Sequence, residues 1–281
     1  MSVATLRCGR FAVDLSRPQV MGIVNVTPDS FADGGSCLDP ARAIERARQQ
    51  VADGAAIVDI GGESTRPGAA EVPESDELAR VVPVVAALAA DGVVVSVDTR
   101  KPAVMRAAFA AGAAMVNDVS ALAAPGAIAA CADAGVGVCL MHMRGAPATM
   151  QQAPDYADVV VEVCEFLLQR ARACEAAGIG RERIVLDPGF GFGKTLAHNL
   201  ALLHGLDALV ATGYPVLAGL SRKSMLGLLT GRPVEERLAA SVAAAIAAVA
   251  RGAAIVRVHD VRETVDALKV WHATRQDPDR R

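Results

Sequence analysis

Aromatic residues are scarce in this 281-residue chain, at 3% of the total, so whatever core it builds is aliphatic. Charge of one sign is scarce too: the formal net charge is -3, and no Lys/Arg run is longer than the pairs Arg222-Lys223 and Arg280-Arg281. Without a basic field to release counterions from a phosphodiester backbone, nucleic acid is not an expected partner. The six cysteines, Cys8, Cys37, Cys131, Cys139, Cys164 and Cys174, form no C-x-x-C pair and no metal-finger spacing. In apolar surroundings they read as small hydrophobes, inert thiols of a reducing cytoplasm. The N-terminus "MSVATLRCGRF" lacks a basic stretch followed by an apolar one, and the longest apolar run, "SVAAAIAAVARGAAIV", is broken by Arg251 and Gly252. Neither an export signal nor a membrane span is expected.

What is present is a 52% hydrophobic composition rich in alanine, valine and leucine, which argues for a large core and against disorder. A length prior of ~150 residues per domain allows two domains, whereas α/β barrels routinely hold ~250 in one. No Pro-, Gly- or Ser-rich linker divides the chain, so residues 1–281 are expected as a single domain. Short aliphatic runs recur, each after a glycine that closes a helix-like stretch: "ADGAAIVDI", "ADGVVVSVD", "AAGAAMVND", "ADAGVGVCLMH" and "ARGAAIVRVHD". A glycine supplies the left-handed helix cap, and a continuous apolar run is a strand buried on both faces, as in parallel sheets. With "QVMGIVNVT", "RIVLDPG" and "PVLAGLS" the runs predict strands at about 20–26, 56–61, 93–98, 114–118, 137–142, 183–187, 215–220 and 254–259. Helices are expected at Pro40 to Asp53, Glu74 to Ala90, Ala157 to Ala177 and Val234 to Arg251. Eight βα units of this size point to a (β/α)8 TIM barrel, about 18–273, with a doubly wound open sheet as the alternative. "LRCGRFAVDL" reads as an N-terminal β-hairpin, about 5–15, covering the barrel's bottom, and the tail 274–281 is expected to be disordered.

The strands end in polar residues: Asn25, Asp59, Asp98, Asn117 with Asp118, His142, Asp187, Ser221, and Arg257 with His259. Apolar strands gain no stability from such ends, and the C-terminal face of a barrel is where the ends converge into a pocket. Any single one could instead cap a helix or bond loop backbone, and for Asp59 and Asp118 that is the reading preferred here. Asp98, Asn117 and Asp187 together suit a flat, donor-rich heterocycle, since a carboxylate accepts two parallel N–H bonds from a guanidine-like edge. With Asn25 they make a poor zinc site but an acceptable one for hydrated Mg²⁺ that also holds phosphate. Arg66, Lys223, Arg257 and His259 form a cationic set suited to phosphoryl oxygens, and Ser224 in "SRKSM" opens a helix where an anion is favoured. Two long polar loops, "NVTPDSFADGGS" with Phe31 and "GGESTRPGAAEVP" with Arg66, read as lids or binding loops. "DPGFGFGKT" is no P-loop, because Pro188 stands where the first glycine belongs. Lys194 and His198 read there as solvated helix residues.

These same stretches, "MGIVNVTPDSFADGG", "VDIGGESTRPGA", "SVDTRKP", "VND", "LMHMRG", "LDPGFGFGKT", "SRKSM" and "RVHDV", resemble in order the dihydropteroate synthases of folate biosynthesis, from about Val20 to Val261. The resemblance implies condensation of a pterin bearing a methylene diphosphate with 4-aminobenzoate, Mg²⁺ as cofactor, inhibition by sulfonamides, and a homodimer formed through helices near the chain's end. It implies that Asp98, Asn117 and Asp187 contact the pterin edge, with Met141 and Gly219 beside the ring, Lys223 on its far side and Arg257 on its face. Asn25 becomes the metal ligand, with Arg257 and His259 gripping phosphate. Thr65, Arg66, Pro67, Phe31, Phe192 and Ser224 form the aminobenzoate pocket. Catalysis falls to Asp98, Lys223, Arg257 and His259, by an SN1-like path without an enzyme nucleophile. A pterin-dependent methyltransferase would share the acidic residues but has no use for a diphosphate site, and a non-catalytic homologue would be expected to lose loop residues that are all present here.

Overall fold

A computed structural model of the chain describes residues 4–27, 40–64, 71–145, 150–151 and 154–275. Its alternation of βα units is set by the sequence pattern: apolar runs too short for a helix, rich in Val and Ile, become strands, and alanine-rich stretches between them become helices. The chain opens with an antiparallel hairpin, β1 (Thr5–Cys8) and β2 (Phe11–Asp14). Eight strands follow: β3 (Gln19–Asn25), β4 (Ile57–Gly61), β5 (Val95–Asp98), β6 (Met115–Asp118), β7 (Gly137–Met141), β8 (Ile184–Asp187), β9 (Leu217–Ala218) and β10 (Ile255–Val258). All neighbours pair in parallel, in the order β8-β7-β6-β5-β4-β3-β10-β9. A bridge from Leu186 to Val216 joins β8 to the start of β9, so the sheet closes on itself and the open doubly wound alternative falls.

The expected helices form as α1 (Pro40–Ala52), α2 (Glu74–Ala90), α5 (Val159–Ala176) and α9 (Leu238–Ala250); between them run α3 (Pro102–Ala110), α4 (Ala127–Ala134), α6 (Leu196–His204), α7 (Leu206–Val210) and α8 (Ser224–Thr230), and α10 (Val261–Ala273) ends the barrel. The stretch expected as one helix from Val234 begins instead with a 3₁₀ turn, Val234–Glu236, before α9. β9 is shorter than expected, because Pro215 has no N–H for a ladder and contributes only its carbonyl, which accepts from Leu186 N–H.

Because strand side chains alternate, each strand serves two cores. Val24, Val58, Ile60, Val97, Val116, Leu140 and Leu186 face outward onto the helices. Met21, Ile57, Met115, Cys139, Val185, Leu217 and Ile255 face inward and form a fully apolar layer at the bottom of the barrel, stoppered by Leu6, Cys8 and Val13 of the hairpin. Burial of each such side chain contributes about 1.5–3 kcal/mol. The hairpin fits because residue 137 is glycine: a Cβ there would lie 2.9 Å from Cys8 Sγ and 3.2 Å from the Arg7 carbonyl. Cys8, Cys131, Cys139 and Cys174 are buried free thiols and Cys164 is half-buried, as expected; burial raises the pKa of each. Cys37 lies outside the described residues. No helix among the described residues is long and apolar enough to cross a membrane.

Candidate active site

At the upper end of the same inward-facing columns the chemistry changes from apolar to charged. Register places Asn25 beside Gly61, Gly61 beside Asp98 and Asp98 beside Asn117, with Met141 beside Asp187 further round. Arg257 on β10 reaches across this ring. Its Nε donates to Asp59 Oδ2 at 2.6 Å and its Nη2 to Asp98 Oδ2 at 2.7 Å. Asn117 Nδ2 donates to the same Asp59 oxygen at 2.9 Å. Asp59 is therefore part of the ring rather than a helix cap, a correction to the sequence reading. The reason is its depth: it pairs with Ser96 of β5, wholly buried, and its Oδ2 accepts from Arg257 and Asn117 inside the barrel. Asp118, on the outward side, does bond loop backbone, accepting from Ser120 and Leu122 N–H.

Gly61 and Gly219 keep the ring open. A Cβ on Gly61 would lie 3.5 Å from both Asn25 Oδ1 and Asp98 Cβ; one on Gly219 would lie 3.9 Å from Asp187 Oδ2 and 4.0 Å from Arg257 Cβ. Lys223, following β9, points over the Phe192 ring with Nζ 4.0 Å from its centroid. Burial lowers the Lys223 pKa to about 8 against the opposing pull of Asp187, with Arg257 pushing the same way as burial. Burial, with Asp59 adding its charge, raises the Asp98 carboxyl to about 7 even though Arg257 faces it. Asp187 is raised by burial as well, while its Oδ1 accepts Gly189 N–H at 2.7 Å. Burial works against the Arg257 charge, but Asp59 and Asp98 outweigh it and push its pKa up. Asp98 and Asp187, both pushed toward neutrality by burial, gain from a ligand carrying N–H donors and positive charge.

His259, expected as one of the cations, is instead held neutral: burial, then Arg257, lowers its pKa to about 3. Its backbone N–H donates to Ser221 Oγ at 3.2 Å, and Ser221 Oγ lies 3.0 Å from Nδ1. A Ser221 hydroxyl that donates to Nδ1 would leave the proton on Nε2 as a donor for an anion.

The glycines of "DPGFGFGKT" turn the chain sharply at the rim, as expected: Gly189 and Gly193 adopt φ of 68° and 63°. A Cβ on Gly189 would fall 1.9 Å from the His142 carbonyl, so no other residue fits. Lys194, expected to be solvated, is 3% exposed. Its Nζ lies 2.9 Å from His142 Nδ1 and donates to the Gly189 and Phe192 carbonyls at 3.0 Å each. Those acceptors were invisible in the sequence because the turn creates them only after folding. Burial moves the Lys194 pKa down to about 7 and, with Lys194 beside it, that of His142 to about 3. His198 does belong to a helix, where it forms a capping box with Thr195 and packs edge-on against Tyr156.

Ser224 is exposed at the start of α8, and no hydrogen bond joins it to the ring among the described residues. Thr65, Arg66, Pro67 and Phe31, with most of the two long loops, lie outside the described residues. The stems of the second loop are held by a network that sequence reading missed. Glu63 accepts Val72 N–H at 2.9 Å and pairs with Arg100 and Lys101, and Lys101 also meets Glu77 at 2.7 Å and the Val72 carbonyl at 2.6 Å. The "TRKP" that follows Asp98 was the only signal for it.

Among the described residues no three His, Cys, Asp or Glu side chains gather as a metal cluster. The donor set that remains, Asn25 Oδ1 with Asp98 nearby, consists of hard oxygens. That fits Mg²⁺, which takes one or two protein oxygens and completes its shell with water and substrate phosphate.

Residues 21–259 match the model of a family described as "Pterin binding enzyme". The chain is 52% identical over 264 residues to dihydropteroate synthase of Escherichia coli K12, covering 94% of each. It is similar to a solved Xanthomonas albilineans dihydropteroate synthase with 4-aminobenzoic acid, at TM-score 0.93 and 53% identity, covering 99% of this chain and 100% of that one. A Burkholderia cenocepacia dihydropteroate synthase complexed with 7,8-dihydropteroate matches at TM-score 0.89 and 54% identity, covering 98% of each.

Proposed function

The chain belongs to the dihydropteroate synthases within the pterin binding enzymes, and from that premise we propose how its barrel mouth joins a dihydropterin methyl diphosphate to 4-aminobenzoate. It is a transferase of folate synthesis whose products are 7,8-dihydropteroate and diphosphate. The observation that carries the site assignment is the ring at the mouth: Asp98, Asn117 and Asp187 offer acceptors around Arg257, and Asn117 Oδ1 is buried with no hydrogen-bond partner among the described residues. An unpaired buried acceptor costs about 1–3 kcal/mol, which a ring N–H of the pterin would recover.

Asp98, Asn117 and Asp187 hold the pterin edge, and Lys223 and Met141 flank the ring. Of the five N–H donors of Arg257, two are engaged by Asp59 and Asp98; the three that remain, with His259 Nε2–H, hold the diphosphate. Mg²⁺ held by Asn25 would neutralise developing negative charge on the phosphate oxygens. As the C–O bond breaks, positive charge grows on the pterin methylene, where the ionised Asp98 stabilises it. The amine of 4-aminobenzoate, placed by Phe192 and the residues 65–67 of the second loop, then attacks the methylene and loses a proton to solvent. This order, ionisation before attack, needs no enzyme nucleophile.

An assay of diphosphate release tests the reading. Release should require both substrates, match dihydropteroate one for one, and be blocked by a sulfonamide; a covalent pterin adduct on the protein would contradict it. We also propose a homodimer through the chain's C-terminal part, because Leu228, Leu229, Val234 and Leu238 stand exposed there, Leu228 by 70%. A monomeric mass in solution would contradict that. The free thiols support a reducing, cytoplasmic compartment, and recovery of a disulfide-linked form from cells would argue against it.

A further inference from the structure

We propose that Asp59 sets the ligand specificity of the ring pocket by locking the side-chain amide of Asn117 in one orientation. This rests on the pterin reading of the mouth and names a residue that the reading uses only as a partner of Arg257.

Asp59 is wholly buried, and Asn117 is 4% exposed. The only hydrogen bond of the Asn117 side chain among the described residues runs from Nδ2 to Asp59 Oδ2, and its Oδ1 has no partner. An amide is nearly symmetric in shape, so packing alone does not choose between its two ends. Asp59 does choose. An ionised carboxylate only accepts, so it can meet the NH₂ end and never the carbonyl end. Arg257 Nε donates to the same oxygen at 2.6 Å, so that oxygen faces donors from both sides. Turning the amide over would set two acceptors 2.9 Å apart in a buried site and would orphan the NH₂ group. Asn117 therefore presents an acceptor, together with Asp98 and Asp187. A ring edge that brings N–H donors completes the set, whereas a ring with a carbonyl in place of its amino group sets acceptor against acceptor. Sites built around a particular hydrogen bond reject the mismatched analogue strongly.

Asp59→Ser tests this. Its hydroxyl oxygen can accept from Arg257 and at the same time either accept from or donate to Asn117, so the amide can sit either way round. The probes are pterin and lumazine, which differ by 2-amino against 2-oxo, titrated by calorimetry into the full chain. The native protein should prefer pterin by roughly 10- to 100-fold, one to two hydrogen bonds' worth, and Asp59→Ser should cut that preference about tenfold. Asp59→Thr, whose hydroxyl also donates or accepts, should do the same and serves if the first variant folds poorly. A variant that binds both ligands more weakly by one factor, with the preference intact, would overturn the proposal and leave Asp59 as a support for Arg257. A native protein that shows no preference would instead bring down the pterin reading itself, and the proposal with it.

Discussion

The two ends of the barrel interior are built on the same strands and the same inward-facing positions, two residues apart, yet they differ in kind. Below are Ile57, Met115, Cys139, Val185 and Ile255; above are Asp59, Asn117, Met141, Asp187 and Arg257. The lower layer is sealed by the hairpin and stabilises by burial alone. The upper layer crowds Asp98 to a pKa of about 7 and Lys223 to about 8 and leaves polar atoms of Asp59 and Asn117 without partners among the described residues. It is a poor way to stabilise a protein and a good way to receive a charged, donor-rich ligand. One end holds the frame and the other holds the strain.

The largest expected effect tests the upper end. Arg257→Ala leaves two facing carboxylates uncompensated and should cost about 3–5 kcal/mol of stability by chemical denaturation, alongside loss of diphosphate binding. A variant as stable as the native chain would show that the ring is not a coupled unit. Ile57→Ala cuts into the lower layer and should cost about 2–5 kcal/mol of stability while kcat stays within twofold at temperatures where it is folded. A parallel loss of turnover would erase the distinction between the ends.

Asp98→Asn removes charge but not shape and should lower kcat by ~2–4 kcal/mol of transition-state stabilisation. It also separates stability from activity through pH. The folded pKa of Asp98, about 7, lies above the unfolded value of ~3.9. Between those values the folded chain binds the extra proton, so this group's contribution to stability falls as pH rises through about 4–7. His259, lowered to about 3, contributes the opposite slope from about pH 3 to 6.5, so the informative quantity is the native-minus-variant difference. Activity runs the other way: kcat/KM should rise toward pH 7 as Asp98 ionises, and the variant should lack that limb. A limb preserved in Asp98→Asn belongs to the substrate.

The smallest effect concerns the turn after β8. Lys194→Met strips two carbonyls of their buried donor, a cost of about 1–3 kcal/mol. Because Phe192 sits on that turn, the KM for 4-aminobenzoate should rise about tenfold more than the KM for the pterin substrate. Equal changes in both would mean that Lys194 holds the whole rim rather than the aminobenzoate side.

Much of this was legible before folding. Glycine-capped aliphatic runs announced the eight strands, and polar residues at their ends announced Asp98, Asn117, Asp187 and Arg257. What stayed hidden depended on depth and on partners brought together by closure. Asp59 looks like Asp118 in sequence, each an acid in an apolar run, yet one faces in to Arg257 and the other faces out to Ser120 and Leu122. Lys194 reads as a helix-start lysine until the glycine turn folds its own carbonyls around it. Neither partnership has a local signal, because Arg257 is 198 residues from Asp59 and the acceptors of Lys194 are backbone.

The central claim is that chemistry resides in the upper ring and not in the lower layer. Steady-state diphosphate release from the dihydropterin diphosphate and 4-aminobenzoate, measured side by side for the native chain, Ile57→Ala and Arg257→Ala, tests it directly. The account predicts near-native turnover for the folded Ile57→Ala protein and a loss of at least a hundredfold, roughly 2.7 kcal/mol, for Arg257→Ala; turnover by Arg257→Ala at the native rate would contradict it.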